Sequence, residues 1–213
     1  EVITGFGRLG TRFGSERFGI EPDILVLSKQ ITSSYQPLGA VLINERVAGP
    51  VAEHSGKLGT FGHGYTASGH PVATAVALEN LKIIDERNLI QNAADMGALM
   101  HELLRGNADH PLVGEVRGVG LIAGVELVAD RATKRPFDPV GRAGGYAYER
   151  AHDHGLIVRG IFLARPQEML FQSLAHLPRL ADAPTDMPQM RDLHGLPELL
   201  RRLRNSGLRP RMF

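Results

Sequence analysis

The sequence predicts an α/β fold on a mainly parallel sheet. Three observations carry that reading. Ile24 to Leu27 and Gly39 to Ile43 are short, continuously aliphatic runs, the pattern of strands covered on both faces. Stretches with helical apolar spacing follow them, from Pro71 and again from Ile90. Further on, Leu121, Ala123, Val125 and Leu127 alternate as a half-buried strand does.

The elements follow in order. Glu1-Val2-Ile3-Thr4 reads as the end of a buried strand, turned by the glycines of Gly5-Phe6-Gly7-Arg8-Leu9-Gly10. A short helix is expected over Val47 to Glu53, leading into the loop from Gly59 to Pro71. Pro71 suits a first helical turn, and Ala73, Ala77, Leu81 and Ile84 then share one face. A second helix is expected from about Ile90 to Leu104, and Gly114 to Gly120 leads into the alternating strand. A helix from about Arg142 to His154 and a strand over Leu156 to Arg159 complete the recognisable pattern.

Composition excludes several function classes. Of 213 residues, 43% are hydrophobic, enough for a packed core, and the net charge of +1 gives no footing for nucleic acid or an acidic membrane. Cys is absent, so there is neither a disulfide framework nor a thiolate metal site, which is compatible with a cytoplasmic protein. No apolar run approaches the roughly 20 residues that span a bilayer. His63, His70, His152 and His154 form no tetrahedral set with a partner at motif distance, so no metal is expected. Gly5, Gly7 and Gly10 spell a dinucleotide-type G-x-G-x-x-G, but no helical stripe opens after them, so the turn is structural.

After Ile161 the usage of residues changes. Val, Ile, Lys and Tyr vanish, while Pro166, Pro178, Pro184, Pro188, Pro197 and Pro210 accumulate beside many Arg. Residues 162–213 are therefore expected to be an atypical tail with one helix near Leu196 to Leu203, and a tail read out of the ancestral frame is a sharper form of the same expectation.

The chemistry concentrates at Lys29. An aliphatic strand delivers its amine onto Ser28-Lys29-Gln30-Ile31-Thr32-Ser33-Ser34, small and hydroxyl-bearing residues. A desolvated lysine held so can form an imine with a carbonyl cofactor, whereas a lone strand-end lysine is more often a solvated charge. The Gly59 to Pro71 loop, with its glycines, hydroxyls and following helix, suits an anion or is simply a tight connection. Arg159 ends an apolar strand, either in a surface ion pair or as a fork for a carboxylate.

The Lys29 segment resembles the cofactor-lysine segment of class-III pyridoxal-phosphate-dependent aminotransferases. The resemblance continues through Glu1 to Arg8, Phe61-Gly62-His63-Gly64-Tyr65-Thr66-Ala67-Ser68-Gly69-His70-Pro71, Glu115 to Leu121 and Gly155 to Arg159, in the family's order and covering residues 1 to about 161. It implies the fold-type-I PLP-dependent transferase fold: the carboxy-terminal part of the cofactor-binding large domain over 1–90, and a partial α+β small domain over 91–161. It implies pyridoxal 5'-phosphate as cofactor, attached to Lys29, which also shuttles the substrate's proton. Val2 would pack on the pyridine face. Tyr65 and Thr66 would bind the phosphate, Thr66 from the neighbouring subunit, so a homodimer is expected. Arg159 matches the arginine that grips the substrate carboxylate in the ω-amino-acid branch.

Ser68-Gly69-His70-Pro71 and Ile3 resemble the ω-amino-acid or amine:pyruvate branch more than the ornithine or GABA branches. The implied activity moves an amino group from an ω-amino acid or amine to a keto acid such as pyruvate. The alternatives are a glutamate-semialdehyde-type aminomutase and a non-catalytic remnant. Two departures matter. The family carries an Asp immediately before the position of Glu1, paired with the pyridinium nitrogen, and this chain starts one residue later, as a fragment would. Phe162 onward does not resemble the family, so the small domain is expected to leave its sheet unclosed.

Overall fold

The computed structural model of the chain describes residues 1–162 and 168–172. The chain divides into two compact units, Glu1–Ala94 and Asp95–Phe213. The expected tail helix and the tail beyond residue 172 lie outside the described residues.

The first unit opens with turns over Val2 to Leu9, not with the end of a buried strand. The Glu1 carboxylate accounts for the difference. It accepts hydrogen bonds from the backbone N–H of Gly14 (2.9 Å) and Ser15 (2.6 Å), and from the Thr4 hydroxyl. Burial raises its pKa, but these hydrogen bonds together outweigh burial and hold it below the usual carboxylate value. A segment folded back onto the start of α1 (Gly14–Phe18) cannot extend along a neighbouring strand.

β1 (Ile24–Leu27) and β2 (Ala40–Ile43) form where the aliphatic runs predict them, with Ile24 opposite Ile43 and Leu27 opposite Ala40. The α/β class stands, but the pair is antiparallel, and all strand pairs among the described residues are too. A parallel return needs a crossover, usually a helix, whereas the link from Ser28 to Gly39 holds only a 3₁₀ turn, Lys29–Ile31. Of the eight residues in β1 and β2 only Leu27 is buried, so the expected cover on both faces is not met among the described residues. Ile24, Val26, Val41, Leu42 and Ile43 are all exposed.

α2 (Glu45–Leu58) outruns the expected Val47 to Glu53 at both ends. The Asn44 side chain accepts from the Val47 N–H at 3.2 Å to start it, and Gly59 at φ 73° ends it. α3 (Pro71–Glu86) buries Ala73, Ala77 and Ile84 as the periodicity predicts, and with them the polar Asn80. Phe6, Leu27, Ile31, Ala77 and Ile84 make this unit's core, with Phe13 edge-on to Phe6 at 5.6 Å.

α4 (Leu89–Arg105) carries the chain into the second unit. The Gly114 to Gly120 lead-in is itself a strand, β3 (Val113–Val119), whose glycines hide its alternation. It forms a hairpin with β4 (Ile122–Leu127). Arg117 bridges the hairpin, 2.6 Å from Glu115 and 3.0 Å from Glu126, so the buried Glu126 carboxylate is not left without a cation. α5 (Arg142–Asp153) lays Ala143, Ala147 and Ala151 on the sheet, small side chains at four-residue spacing that permit close approach.

β5 (Val158–Phe162) and β6 (Glu168–Gln172) complete an antiparallel sheet in the order β3-β4-β6-β5. This corrects the expectation of an unclosed sheet. β6 lies between β4 and β5 and bonds to both, pairing Val125 with Leu170 and Gly160 with Leu170. Only three of β6's five residues, Met169, Leu170 and Phe171, are hydrophobic and none is β-branched, so beside the prolines the segment does not read as a strand.

Two measurements check the second unit. A Cβ at Gly97 of α4 would lie 2.6 Å from the carbonyl carbon and oxygen of Gly120. Gly97→Ala should therefore lower stability by about 1–2 kcal/mol in urea unfolding, overpacking outweighing the better helix propensity of alanine. His101 is 5% exposed, and burial, then the Arg105 charge, lower its pKa despite the Gly120 and Ile122 backbone. Its folded value lies below its unfolded 6.5, so its contribution is intact above that value and is lost as pH falls through it. Unfolding midpoints from pH 7.5 down to 5 should fall in the parent chain and fall less in His101→Leu.

Candidate active site

Lys29 stands at the end of β1, where the chain leaves the strand and enters the 3₁₀ turn Lys29–Ile31. Its backbone sits at φ 42°, a left-handed conformation uncommon outside glycine, as do Ser33 at 48° and Ser34 at 64°. The side chain is exposed, which differs from the desolvated amine that the sequence suggests. Lys57 and Lys82 are engaged by Glu53, Glu79 and Glu86 on their own helices. No carboxylate pairs with Lys29 among the described residues.

The turn is held from several directions. The Lys29 carbonyl accepts from the N–H groups of Thr32 and Ser34, both at 3.3 Å. The buried Thr32 hydroxyl donates to the Gln36 carbonyl at 2.6 Å, and the Ser28 hydroxyl to Leu38 at 3.4 Å. The side-chain amide of Asn80 donates to the carbonyls of Gln30 at 2.7 Å and Ile31 at 3.3 Å, and accepts from the Ser33 hydroxyl at 2.8 Å. Sequence reasoning missed Asn80. A polar residue inside the apolar stripe of α3, directly before Leu81, was the available signal.

Val2 is half-buried in the opening turns of the same unit. Tyr65 and Thr66 lie on the loop before α3, exposed, with Tyr65 at φ 50°. Tyr65 packs its ring 4.5 Å from His63 and 5.8 Å from Phe61, and its N–H donates to the His63 Nδ1 at 2.9 Å. The Ser68 N–H closes the turn on the Tyr65 carbonyl at 2.9 Å. Arg159 belongs to the second unit, where it is exposed on β5, an edge strand that runs past it to Phe162.

These residues suit pyridoxal phosphate in their donor chemistry. Lys29 offers a reachable amine unoccupied by an anion, on a fixed backbone, and Thr66 offers a hydroxyl on an open loop ahead of a helix N-terminus.

Comparison with known proteins agrees with this reading. The sequence model of the family "Aminotransferase class-III" matches residues 1–178, further along the chain than the motif blocks alone reach. The chain is 46% identical over 159 residues to gamma aminobutyrate transaminase 3, chloroplastic, of Solanum lycopersicum, covering 75% of this chain and 31% of that protein. It is 38% identical to the vanillin aminotransferase of Capsicum frutescens, over 84% of this chain and 40% of the relative. Among solved structures, the omega transaminase from Pseudomonas jessenii in complex with PMP superposes with a TM-score of 0.74 at 48% identity, covering 97% of this chain and 42% of that one. The chain thus spans well under half the length of these relatives. Family motifs, fold and matched length converge, and the chain belongs to the class-III aminotransferases, a pyridoxal-phosphate-dependent family.

Proposed function

We propose that this chain carries the lysine-bearing part of a transaminase that moves an amino group from an ω-amino acid or amine to a keto acid such as pyruvate. The observation that carries the reading is Lys29 itself, an unpaired amine presented by a strand end on a turn whose backbone is tied at both sides. When bound, pyridoxal phosphate supplies the aldehyde that carries the amino group and a ring that accepts electrons from the breaking Cα–H bond.

The chain's own residues then divide the work. Lys29 would hold the cofactor through its amine, and the same amine would take and return the proton at the substrate carbon. Thr66 and the Tyr65–Thr66 backbone hold phosphate, Thr66 reaching a neighbouring subunit in a homodimer. The exposure of the loop supports that arrangement, since a residue serving a partner must be reachable. Val2 packs on the ring face. Arg159 presents a planar fork that binds both oxygens of a carboxylate on the substrate. No helix among the described residues is long and apolar enough to cross a membrane, and a cytoplasmic location is part of the proposal.

The ω-amino-acid and amine preference rests on Ile3 and on Ser68 to Pro71, together with 48% identity to the Pseudomonas jessenii omega transaminase. The aminomutase reading has no comparable support.

The test is chemical. Incubation of the chain with pyridoxal phosphate, borohydride reduction and peptide mapping should place about one adduct per chain on Lys29, and Lys29→Ala should abolish it. An unlabelled Lys29 in the parent chain would end the proposal. Amino transfer from an amine to pyruvate, lost in Lys29→Ala, separates an active protein from a remnant that only binds. For a carboxylate-bearing donor, Arg159→Leu should raise KM roughly tenfold or more, as expected for lost charge-assisted hydrogen bonds, and leave a simple amine donor unaffected.

A further inference from the structure

We propose that Asn80 is a positioning residue for Lys29, setting the aim of the amine through the backbone of its turn. The inference rests on the reading of Lys29 as the cofactor lysine. Asn80 is 5% exposed and sits on α3, 49 residues along from Ile31, yet its whole amide is spent on the lysine turn. Nδ2 donates to the Gln30 and Ile31 carbonyls, and Oδ1 accepts from the Ser33 hydroxyl.

The geometry explains why such a clamp is needed. Lys29, Ser33 and Ser34 adopt positive φ angles that L-residues disfavour, and a turn of this kind persists only where its surroundings over-determine it. The hydrogen bonds from Thr32 and Ser34 to the Lys29 carbonyl are local and would survive a shift of the whole turn. Asn80 references the turn to a helix. Its neighbours Ala77 and Ile84 are packed in the same core as Leu27, the last residue before Ser28 and Lys29. Loss of Asn80 frees the turn to wander, and with it the root of the lysine side chain. A misplacement of this size acts on reactivity even when fold and exposure are kept.

The sequence supplies an internal control. The four lysines, Lys29, Lys57, Lys82 and Lys134, are all exposed, so solvent access alone predicts similar labelling. The experiment measures, by reduction and peptide mapping, the rate at which pyridoxal phosphate attaches to Lys29 relative to the other three. It is run on the parent chain, on Asn80→Asp, which keeps the acceptor for Ser33 but loses both donated bonds, and on Ser33→Ala, which loses only the third. Hydrogen exchange over residues 29–36 reports the turn without any cofactor.

Asn80→Asp should lower the Lys29 preference roughly tenfold and speed exchange in 29–36 with the hairpin of β3 and β4 in the second unit unchanged. Ser33→Ala should do the same to a smaller degree, and it carries the test if circular dichroism shows Asn80→Asp unfolded. A parent chain with no preference for Lys29 removes the cofactor-lysine reading and this inference with it. Preference and exchange unchanged in a folded variant overturn the inference alone. Faster exchange with an unchanged Lys29 preference also overturns it, since it would show Asn80 to be structural and nothing more.

Discussion

A single buried amide joins the two features on which the first unit is organised. Asn80 lies where an apolar stripe would be expected to place another aliphatic residue, and it faces carbonyls that the 3₁₀ turn leaves without a helical or sheet partner. Burying such carbonyls unpaired costs about 1–3 kcal/mol each, so the amide is favoured there over a hydrophobe of equal size. The same constraint reaches outward. With the turn fixed, Leu27 and Ile31 enter the core on either side of Lys29, and the lysine between them is left exposed.

In the role proposed for Lys29, reactivity would come from backbone placement more than from burial. Lys29 shares its exposure with every other lysine in the chain. What separates it from Lys57 and Lys82 is that no carboxylate pairs with it among the described residues, and its main chain is bonded on its own turn and across to a helix. The loop carrying Tyr65 and Thr66 is held more lightly, by a ring cluster of Phe61, His63 and Tyr65 and by three short hydrogen bonds within the loop. An exposed ring cluster has little area to bury, so that loop draws less of its order from this chain.

Much of this was legible in the sequence, and the gaps have physical causes. Both aliphatic runs became strands and the spacing from Pro71 placed α3 correctly, because period and composition report burial directly. Strand direction was not legible, since an apolar run reads alike in either orientation. Glu1 to Thr4 misled because a carboxylate capping Gly14 and Ser15 is a contact 13 or 14 residues away, invisible to a local window. The helix expected over Val47 to Glu53 fell short of α2 at both ends, where the Asn44 cap and the Gly59 terminus define a longer helix. Lys29 stands out in the sequence because its motif is contiguous. Asn80 does not, because its partners lie 47 to 50 residues upstream.

The strand order of the second sheet has a consequence for synthesis. β6 is the last strand made among the described residues, yet it occupies an interior place between β4 and β5. Until Gln172 has left the ribosome, β4 waits with an unpaired edge, and its pairing with β6 spans a separation that slows strand assembly, whereas β5 pairs with β6 locally. Nascent chains are therefore most prone to capture by one another, or by a chaperone, in the interval between the emergence of β4 and the arrival of its central neighbour.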